Sequence, residues 1–258
     1  MEISDADEVR DVLADPAFIV PPVPRVESPV GIAWLRSHVG RFSTGAEHER
    51  RRALAVAEID RLDPDALRSD ARERAAAALR KGESLRHVPV ETLAAALGLP
   101  AGLAADVATA ARSYQPHVEA DPDAADQAVA HLVEACGGAA DELTAARIGL
   151  LVQACDATAG LAERAVAAMP EHQDVTVDAI LAGMLRENPP VRATRRVTTA
   201  LARIGSAELP PGTIVTLDLT AGGDERLPFG SGLRPCPARE HALAIASGIL
   251  EASRASHP

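Results

Sequence analysis

Alanine-rich segments in which apolar residues recur every three or four positions dominate this sequence and constrain its fold most strongly. That spacing places the apolar side chains on one face of a helix, and it predicts helices over 46–61, 90–98, 122–135, 142–169, 176–186 and 238–253. Aromatic residues make up only 2% of the chain, so alanine, leucine and valine must fill the core. The sequence therefore predicts a mainly α-helical fold.

Two stretches depart from the helical pattern. Between residues 191 and 219, β-branched residues alternate with others on both sides of the turn Pro210-Pro211-Gly212, which predicts a small antiparallel β element. Near the start, a short acidic helix precedes a Pro-Pro-Val-Pro run, so residues 1–28 are predicted to be an N-terminal helix and a proline-rich connector. A chain of 258 residues that is 47% hydrophobic is predicted to form one domain over 1–258.

The net charge of −11 disfavours nucleic acid and anionic membrane surfaces as partners. No stretch reaches the length of a membrane span, and the first five residues, MEISD, lack the basic and apolar regions of a signal peptide. Cys136, Cys155 and Cys236 have neither paired spacing nor a CxxC motif, which indicates neither a disulfide framework nor a zinc site. We expect a cytoplasmic protein.

One glycine-rich loop, Phe229–Ala238, presents a cysteine just before the predicted C-terminal helix. Its two glycines allow the backbone to approach a flat ligand closely, and Arg234 supplies a cation two residues before Cys236. Pro237 is predicted to occupy the first helical position, where proline is favoured. A thiol at a helix N-terminus is stabilised as the thiolate, although a surface turn with a structural cysteine is the simpler alternative.

The loop resembles the heme-binding loop of the cytochrome P450 family. The family pattern is Phe, two residues of any type, Gly, any residue, His or Arg, any residue, Cys, any residue, and Gly or Ala. Phe229, Gly232, Arg234, Cys236 and Ala238 meet every fixed position. The resemblance implies a reduced cytochrome P450-like fold, heme b as cofactor, Phe229 against the heme, and the Cys236 thiolate as the axial ligand of the iron.

Other landmarks of the family occur upstream in the expected order. His48 and Arg52 resemble the pair that reaches the heme propionates, and a spacing of four residues places both on one helix face. Arg196, after Pro189-Pro190-Val191, resembles a further propionate ligand, and Arg234 adds a fourth donor. Each alone is more simply a solvated surface charge. The four together with Cys236 indicate a heme site, because Arg and His form charge-assisted hydrogen bonds to carboxylates.

The segment Gly149–Gly160 resembles the long helix of the family that crosses the distal side of the heme. The family places an acid followed by a threonine there, and both deliver protons to bound oxygen. Asp156 matches the acid, whereas Ala157 follows it and the hydroxyl occurs one position later at Thr158. One residue rotates the hydroxyl by roughly 100° around the helix. Asp156 and Thr158 are the candidate catalytic residues, with an ordinary exposed acid as the alternative for Asp156.

The sequence also departs from the family. Arg186 fits the Glu-x-x-Arg motif, but Gly183 stands in place of its glutamate, and the irregular segment that normally precedes the heme loop is missing. The chain is also shorter than family members generally are. These departures argue against ordinary monooxygenase chemistry, whereas the basic residues and Cys236 argue for heme binding.

Three functions therefore stay open. The first is a heme-thiolate oxidoreductase, of monooxygenase or peroxygenase type, that acts on a small organic molecule in secondary metabolism. Its electrons would come from a ferredoxin docked at Arg50 and Arg51, unless peroxide replaces them. The second is a heme protein with redox-neutral chemistry, and the third is a non-catalytic partner or scaffold. A homo- or hetero-oligomer could complete the shortened pocket.

Overall fold

The computed structural model of the chain describes residues 1–24, 30–118, 121–169 and 174–256. Within these ranges the helices are α1 (Ala6–Ala14), α2 (Ile32–His38), α3 (Gly45–Ile59), α4 (Pro64–Lys81), α5 (Val88–Ala96), α6 (Ala104–Arg112), α7 (Pro122–Ala135), α8 (Glu142–Ala168), α9 (Val177–Glu187) and α10 (Arg239–Ala255). The strands are β1 (Glu2–Ile3), β2 (Phe18–Ile19), β3 (Ala193–Thr198), β4 (Ala202–Ile204), β5 (Ala207–Leu209) and β6 (Ile214–Asp218). The mainly α-helical fold is confirmed.

The six segments predicted as helices coincide closely with α3, α5, α7, α8, α9 and α10. The long helix α4 was not among them. Asp63 caps its N-terminus by accepting the N–H of Asp65, Pro64 occupies its first turn, and Gly82 ends it in the left-handed region at φ 69°. Asp63-Pro64 therefore marks the start of a helix, since proline at the first helical position loses no hydrogen bond.

Helix α8 lies at the centre of the helical part and packs against α3, α5, α6 and α10. Small residues allow close approach between the helices, most clearly between α4 and α10. A Cβ added to Gly248 of α10 would lie 2.2 Å from the carbonyl oxygen of Arg68 in α4. Glu58 of α3 is buried and accepts a 2.8 Å hydrogen bond from Nε of Arg147, which ties α3 to α8.

The predicted antiparallel β element is confirmed by β3 and β6, in which Arg196 pairs with Val215. The sheet is larger than expected, because β2 adds antiparallel to β3 and β1 adds parallel to β6, giving the order β1-β6-β3-β2. Strands β4 and β5 form a separate hairpin between β3 and β6. Residues of α1 and β6 share a small core beneath the sheet, which includes Val9 and Leu217.

The N-terminal region begins with β1 and α1, so the predicted N-terminal helix is present. Pro21–Pro24 has no regular secondary structure, and the rest of the predicted connector, 25–28, lies outside the described residues. Among the residues that the structure does describe, no helix is both long and apolar enough to cross a membrane.

Candidate functional site

The cysteine loop follows β6 and two short 3-10 turns, Ala221–Gly223 and Leu227–Phe229. Gly232 lies in the left-handed region at φ 63°, and a Cβ there would lie 2.5 Å from the carbonyl oxygen of Leu13. Close to that point, the N–H of Leu233 donates a 3.1 Å hydrogen bond to the same oxygen. The N–H of Cys236 donates at 2.7 Å to the carbonyl oxygen of Phe229 and closes the loop. Glycine at 232 is thus required by both its dihedral angle and the close approach of α1.

The helix after the cysteine begins later than predicted. α10 starts at Arg239, so Pro237 lies in the preceding turn and not at the first helical position. Cys236 is exposed, yet surrounding protein atoms desolvate its thiol enough to raise its pKa. A backbone hydrogen bond from Ala238 and the charges of Arg52 and Arg41 act in the opposite direction. In the folded chain alone, therefore, the helix does not produce the thiolate expected from the sequence.

Helix α3 carries His48 and Arg52 on one face, directed toward the cysteine loop. Nη2 of Arg52 donates a 2.6 Å hydrogen bond to the carbonyl oxygen of Pro235, next to Cys236. Nδ1 of His48 lies 2.9 Å from the carbonyl oxygen of Gly40. From the loop, Nη2 of Arg234 donates at 2.8 Å to the carbonyl oxygen of Ser43. The structure thus brings these three predicted residues together around one side of the loop.

Arg196 approaches the same place from β3. It is only 7% exposed, and its Nη1 donates to Oγ1 of Thr194 at 3.0 Å and to the carbonyl oxygen of Arg195 at 2.8 Å. Burial, reinforced by the charges of Arg234 and Arg41, lowers the pKa of Arg196 to about 10. The structure thus places Arg196 near Arg234, while its role as a propionate ligand stays a prediction.

Arg41 is a member of the site that the sequence analysis missed. It lies in the short 3-10 turn Gly40–Phe42 that precedes α3, with its guanidinium carbon 5.8 Å from the centre of the Phe42 ring. Its charge lowers the pKa values of both Arg196 and the Cys236 thiol. No motif marks this position, and only its place seven residues before His48 could have suggested it.

These residues form what we call the cation cluster: Arg41, His48, Arg52, Arg196 and Arg234. Within the described ranges, none of its four arginines lies within 4.0 Å of a carboxylate oxygen. Burial, followed by the charge of Arg52, lowers the pKa of Arg234. Unpaired cations held close together in a partly buried site indicate a place for an anionic ligand.

The sequence matches no protein-family model and no curated protein. Solved structures do match it. CalO2 superposes with a TM-score of 0.79 at 17% identity, covering 98% of this chain and 82% of that one. P450BioI, in complex with hexadec-9Z-enoic acid ligated acyl carrier protein, superposes with a TM-score of 0.76 at 15% sequence identity. The match covers 97% of this chain and 83% of that one. CYP164A2 of Mycobacterium smegmatis with econazole bound superposes with a TM-score of 0.72 at 18% sequence identity. The match covers 98% of this chain and 84% of that one.

The fold is that of the cytochromes P450. At these identities the likeness concerns the fold alone, so the fit of heme must be judged from the residues present. Heme carries two carboxylates, and the guanidinium groups of the cation cluster have no carboxylate partner among the described residues. Nε2 of His48 is also buried, and no described residue forms a hydrogen bond with it. The donor set of this P450 fold therefore fits a dicarboxylate porphyrin, with the Cys236 thiol beside it.

The central helix of the P450 fold does not bring the two candidate catalytic residues together. Asp156 is exposed on α8, where it pairs with Nη2 of Arg86 at 3.1 Å, and Arg86 also pairs with Glu163. Thr158 is 4% exposed and lies on the opposite side of α8, since two residues correspond to roughly 200°. Cys155 is also buried, and desolvation raises its pKa to about 11, as expected of a small apolar packing residue.

The arginine of the incomplete Glu-x-x-Arg motif has a carboxylate partner from elsewhere in the chain. Nη1 of Arg186 lies 2.8 Å from Oε2 of Glu225, a residue of the short segment between β6 and the cysteine loop. Arg239 of α10 approaches the other oxygen of Glu225 at 4.0 Å, and its guanidinium lies 5.5 Å from the Phe229 ring centre. Glu225 therefore connects α9, α10 and the loop without the glutamate that is missing at Gly183.

The two arginines predicted to dock a ferredoxin are occupied within the chain. Arg50 forms two 2.8 Å hydrogen bonds to the carboxylate of Glu142, and Arg51 is buried and bonds the same group at 2.8 Å. These bonds, that of Arg50 foremost, lower the pKa of Glu142 to about 2. Arg50 and Arg51 thus join α3 to α8, and Arg51 in particular cannot contribute to a docking surface in this arrangement.

Two clefts lie away from the cation cluster. One separates α1 from the β4–β5 hairpin. The other, of about 480 Å³, lies between α4, α9 and α10 and is lined by Arg68, Thr176, Val177, Asp178, Glu251, Arg254 and Ala255. Neither includes a residue of the cysteine loop.

Proposed function

We propose that this protein binds heme b, with the Cys236 thiolate as the axial iron ligand. His48, Arg52, Arg196 and Arg234 would hold the propionates, and Arg41 would add a fifth cationic group. The observation that supports this most directly is the convergence of unpaired cations from α3, β3 and the loop beside one cysteine. Phe229, at the base of the loop, would border the porphyrin.

The energetics of Arg196 support an anionic ligand. Holding its guanidinium charged in a site where its pKa falls to about 10 costs on the order of 3 kcal/mol relative to water. A carboxylate close to Arg196 and Arg234 would offset this cost by charge-assisted hydrogen bonding. Without such a ligand, the charge of Arg196 stays buried near the like charges of Arg234 and Arg41, which does not stabilise the fold.

The activity we propose is that of a heme-thiolate oxidoreductase, of monooxygenase or peroxygenase type, acting on a small organic molecule in the cytoplasm. When bound, a thiolate-ligated heme supplies electron density that favours O–O bond cleavage. Thr158 lies on the buried side of α8, where its hydroxyl could donate a proton to a bound substrate. Asp156 could transfer protons only if its ion pair with Arg86 were broken.

The partners are also proposals. A role in secondary metabolism agrees with one similar structure, a mutant of P450 EryK in complex with erythromycin B. P450BioI was solved with an acyl carrier protein, so we include a substrate attached to a carrier protein among the small molecules that this chain could act on. A ferredoxin remains our proposed electron donor, although it would need a surface that does not depend on Arg51. A second subunit, identical or different, could complete the shortened pocket.

A second candidate is a heme protein whose chemistry is redox-neutral, and a third is a non-catalytic partner or scaffold. The observation that favours both is the ion pair of Asp156 with Arg86 on the exposed side of α8, remote from Thr158. Turnover assays with a ferredoxin system and with peroxide separate these candidates. Oxygenated product under either condition supports the oxidoreductase, and heme binding without it supports the second candidate.

The proposed heme site is tested by the spectrum of the reduced protein with carbon monoxide after expression with heme supplied. We expect the strongly red-shifted band of a thiolate-ligated heme, and its loss in Cys236→Ala. Cys136→Ala is the matched control and should keep the band, because Cys136 lies at the end of α7, outside the cation cluster. A colourless protein would overturn the proposal.

A further inference from the structure

The hydrogen bond between His48 and Gly40 fixes which ring nitrogen carries the proton. A carbonyl oxygen can only accept, so Nδ1 of His48 must donate to Gly40 at 2.9 Å. In the neutral imidazole, Nε2 is then the nitrogen without a hydrogen. This tautomer presents a lone pair, and not an N–H group, at the free end of the ring.

Nε2 of His48 is also the end of the ring that lacks a partner. It is buried, and no hydrogen-bond partner exists for it among the described residues. Its own helix contributes Arg52 and the exposed Glu49, and the cysteine loop contributes Arg234. The 3-10 turn contributes Arg41 and β3 contributes Arg196, and the cysteine loop also contributes the thiol of Cys236.

A carboxylate that reaches this end of the ring meets a lone pair unless the ring takes up a proton. Two acceptors facing each other repel, whereas an imidazolium N–H donates a charge-assisted hydrogen bond to a carboxylate. We propose that His48 couples the binding of a porphyrin carboxylate to the uptake of one proton at Nε2. This inference rests on the proposed heme function and adds to it a pH dependence of affinity.

The surroundings of His48 set the direction of that dependence. Burial, together with the charges of Arg234 and Arg52, lowers the pKa of His48 below its usual value of 6.5, so the ring is neutral near pH 7 without ligand. A bound carboxylate raises the pKa again, because it favours the charged ring. Affinity should therefore be greatest at low pH and weaken as pH rises between the free and bound pKa values.

The test uses metal-free protoporphyrin IX, which carries both carboxylates but no iron. Iron would add the ionisation of the Cys236 thiol, which favours binding as pH rises and would obscure the effect. Titration of the full chain, followed by porphyrin fluorescence between about pH 6 and pH 8, should show Kd rising by up to about tenfold per pH unit. Calorimetry in two buffers of different ionisation enthalpy should show uptake of close to one proton near pH 7.

Two variants separate a proton-coupled role from a merely structural one. His48→Gln supplies an amide N–H donor that needs no proton, so its Kd should become nearly independent of pH and its proton uptake should disappear. His131→Gln is the matched control, since His131 is exposed on α7 beside Asp106, and it should keep the wild-type pH dependence.

The outcomes distinguish this inference from the heme proposal. Porphyrin binding with a pH-independent Kd and no proton uptake in the wild-type protein would overturn the role of His48 while leaving heme binding intact. A wild-type protein that binds no porphyrin at all would contradict the carboxylate clamp and overturn both. The pH dependence of Kd and the proton uptake of the wild-type protein decide whether His48 is coupled to a proton. A folding defect in His48→Gln would therefore leave the test valid.

Discussion

Arg196 is a buried arginine without a carboxylate partner among the described residues. The residue is buried in β3, its hydrogen bonds to described residues are to neutral oxygens, and the like charges of Arg234 and Arg41 act on it. Folding does not gain from such an arrangement, since a buried charge is stabilised mainly by an opposite charge nearby. Its retention in the fold is therefore better explained by binding than by stability.

Replacing the charge should separate these two roles. We expect Arg196→Met to raise the free energy of unfolding of the ligand-free protein by about 1–2 kcal/mol, because an unpaired buried charge is removed. The same change should weaken heme binding by tenfold or more, since one charge-assisted hydrogen bond is lost. Urea denaturation and heme titration measure the two effects.

The exposed neighbour Arg195 provides the control for this substitution. Arg195→Met should change the free energy of unfolding by less than about 0.5 kcal/mol and leave heme affinity nearly unchanged. A ligand-free Arg196→Met protein that is clearly less stable than the wild type would show that the charge serves the fold itself.

At the level of residues, motif order predicted which basic side chains would lie near the cysteine loop, and their role toward heme stays a prediction. His48, Arg52 and Arg234 do converge on one loop, as their order suggested. Arg41 was missed because no local spacing connects it to the motif. The carboxylate partner of Arg186 was missed because Glu225 approaches from a different element, and such a pairing depends on three-dimensional packing.

At the level of elements, two helical glycines meet opposite environments. Gly248 of α10 faces the backbone of α4, where an added Cβ would lie 2.2 Å from the carbonyl oxygen of Arg68 and 3.0 Å from the N of Arg72. Gly183 of α9 has nothing within 4 Å of the same position. The first glycine allows two helices to approach closely, and the second has no such packing role.

Substitution by alanine should therefore act in opposite directions at these two sites. Gly248→Ala should lower the free energy of unfolding by roughly 2 kcal/mol or more, because backbone atoms of α4 must move. Gly183→Ala should raise it by about 0.5–1 kcal/mol, because alanine loses less conformational freedom in a helix than glycine does. Thermal or urea unfolding of both variants decides this, and equal effects would contradict the packing of α4 on α10.

Helix boundaries could be predicted from sequence where apolar periodicity was strong, as in α7, which was predicted over 122–135 and spans Pro122–Ala135. Helix α4 was not predicted because its buried positions are largely alanines among charged residues. Its buried face is therefore only slightly more apolar than its exposed face. The late start of α10 could not be predicted, since it depends on how the loop is held by Phe229 and by α1.

At the level of the whole molecule, stability is distributed unevenly. Ile148 and Leu151 of α8 and Ile249 and Leu250 of α10 are fully buried. The β4–β5 hairpin forms a two-stranded sheet of its own, separate from the four-stranded one. Two-stranded hairpins have little intrinsic stability, whereas buried central helices open only with the whole fold.

Amide hydrogen exchange should reflect this difference. We expect the slowest exchange in the central turns of α8 and α10, with protection close to that of global unfolding, and fast exchange in Ala202–Leu209. Mass spectrometry of the exchanged protein, after digestion, resolves these segments. Equal protection of the hairpin and of α8 would show that the molecule unfolds as one unit.

The bond from Leu233 to Leu13 joins the cysteine loop to the first helix, while Arg52 joins it to the third. During synthesis, α1 is made long before the cysteine loop, so this bond can form only after the loop itself has been synthesised. Such distant contacts form slowly and late. We therefore expect the cysteine loop to reach its final position late in folding, after the helices that surround it have packed together.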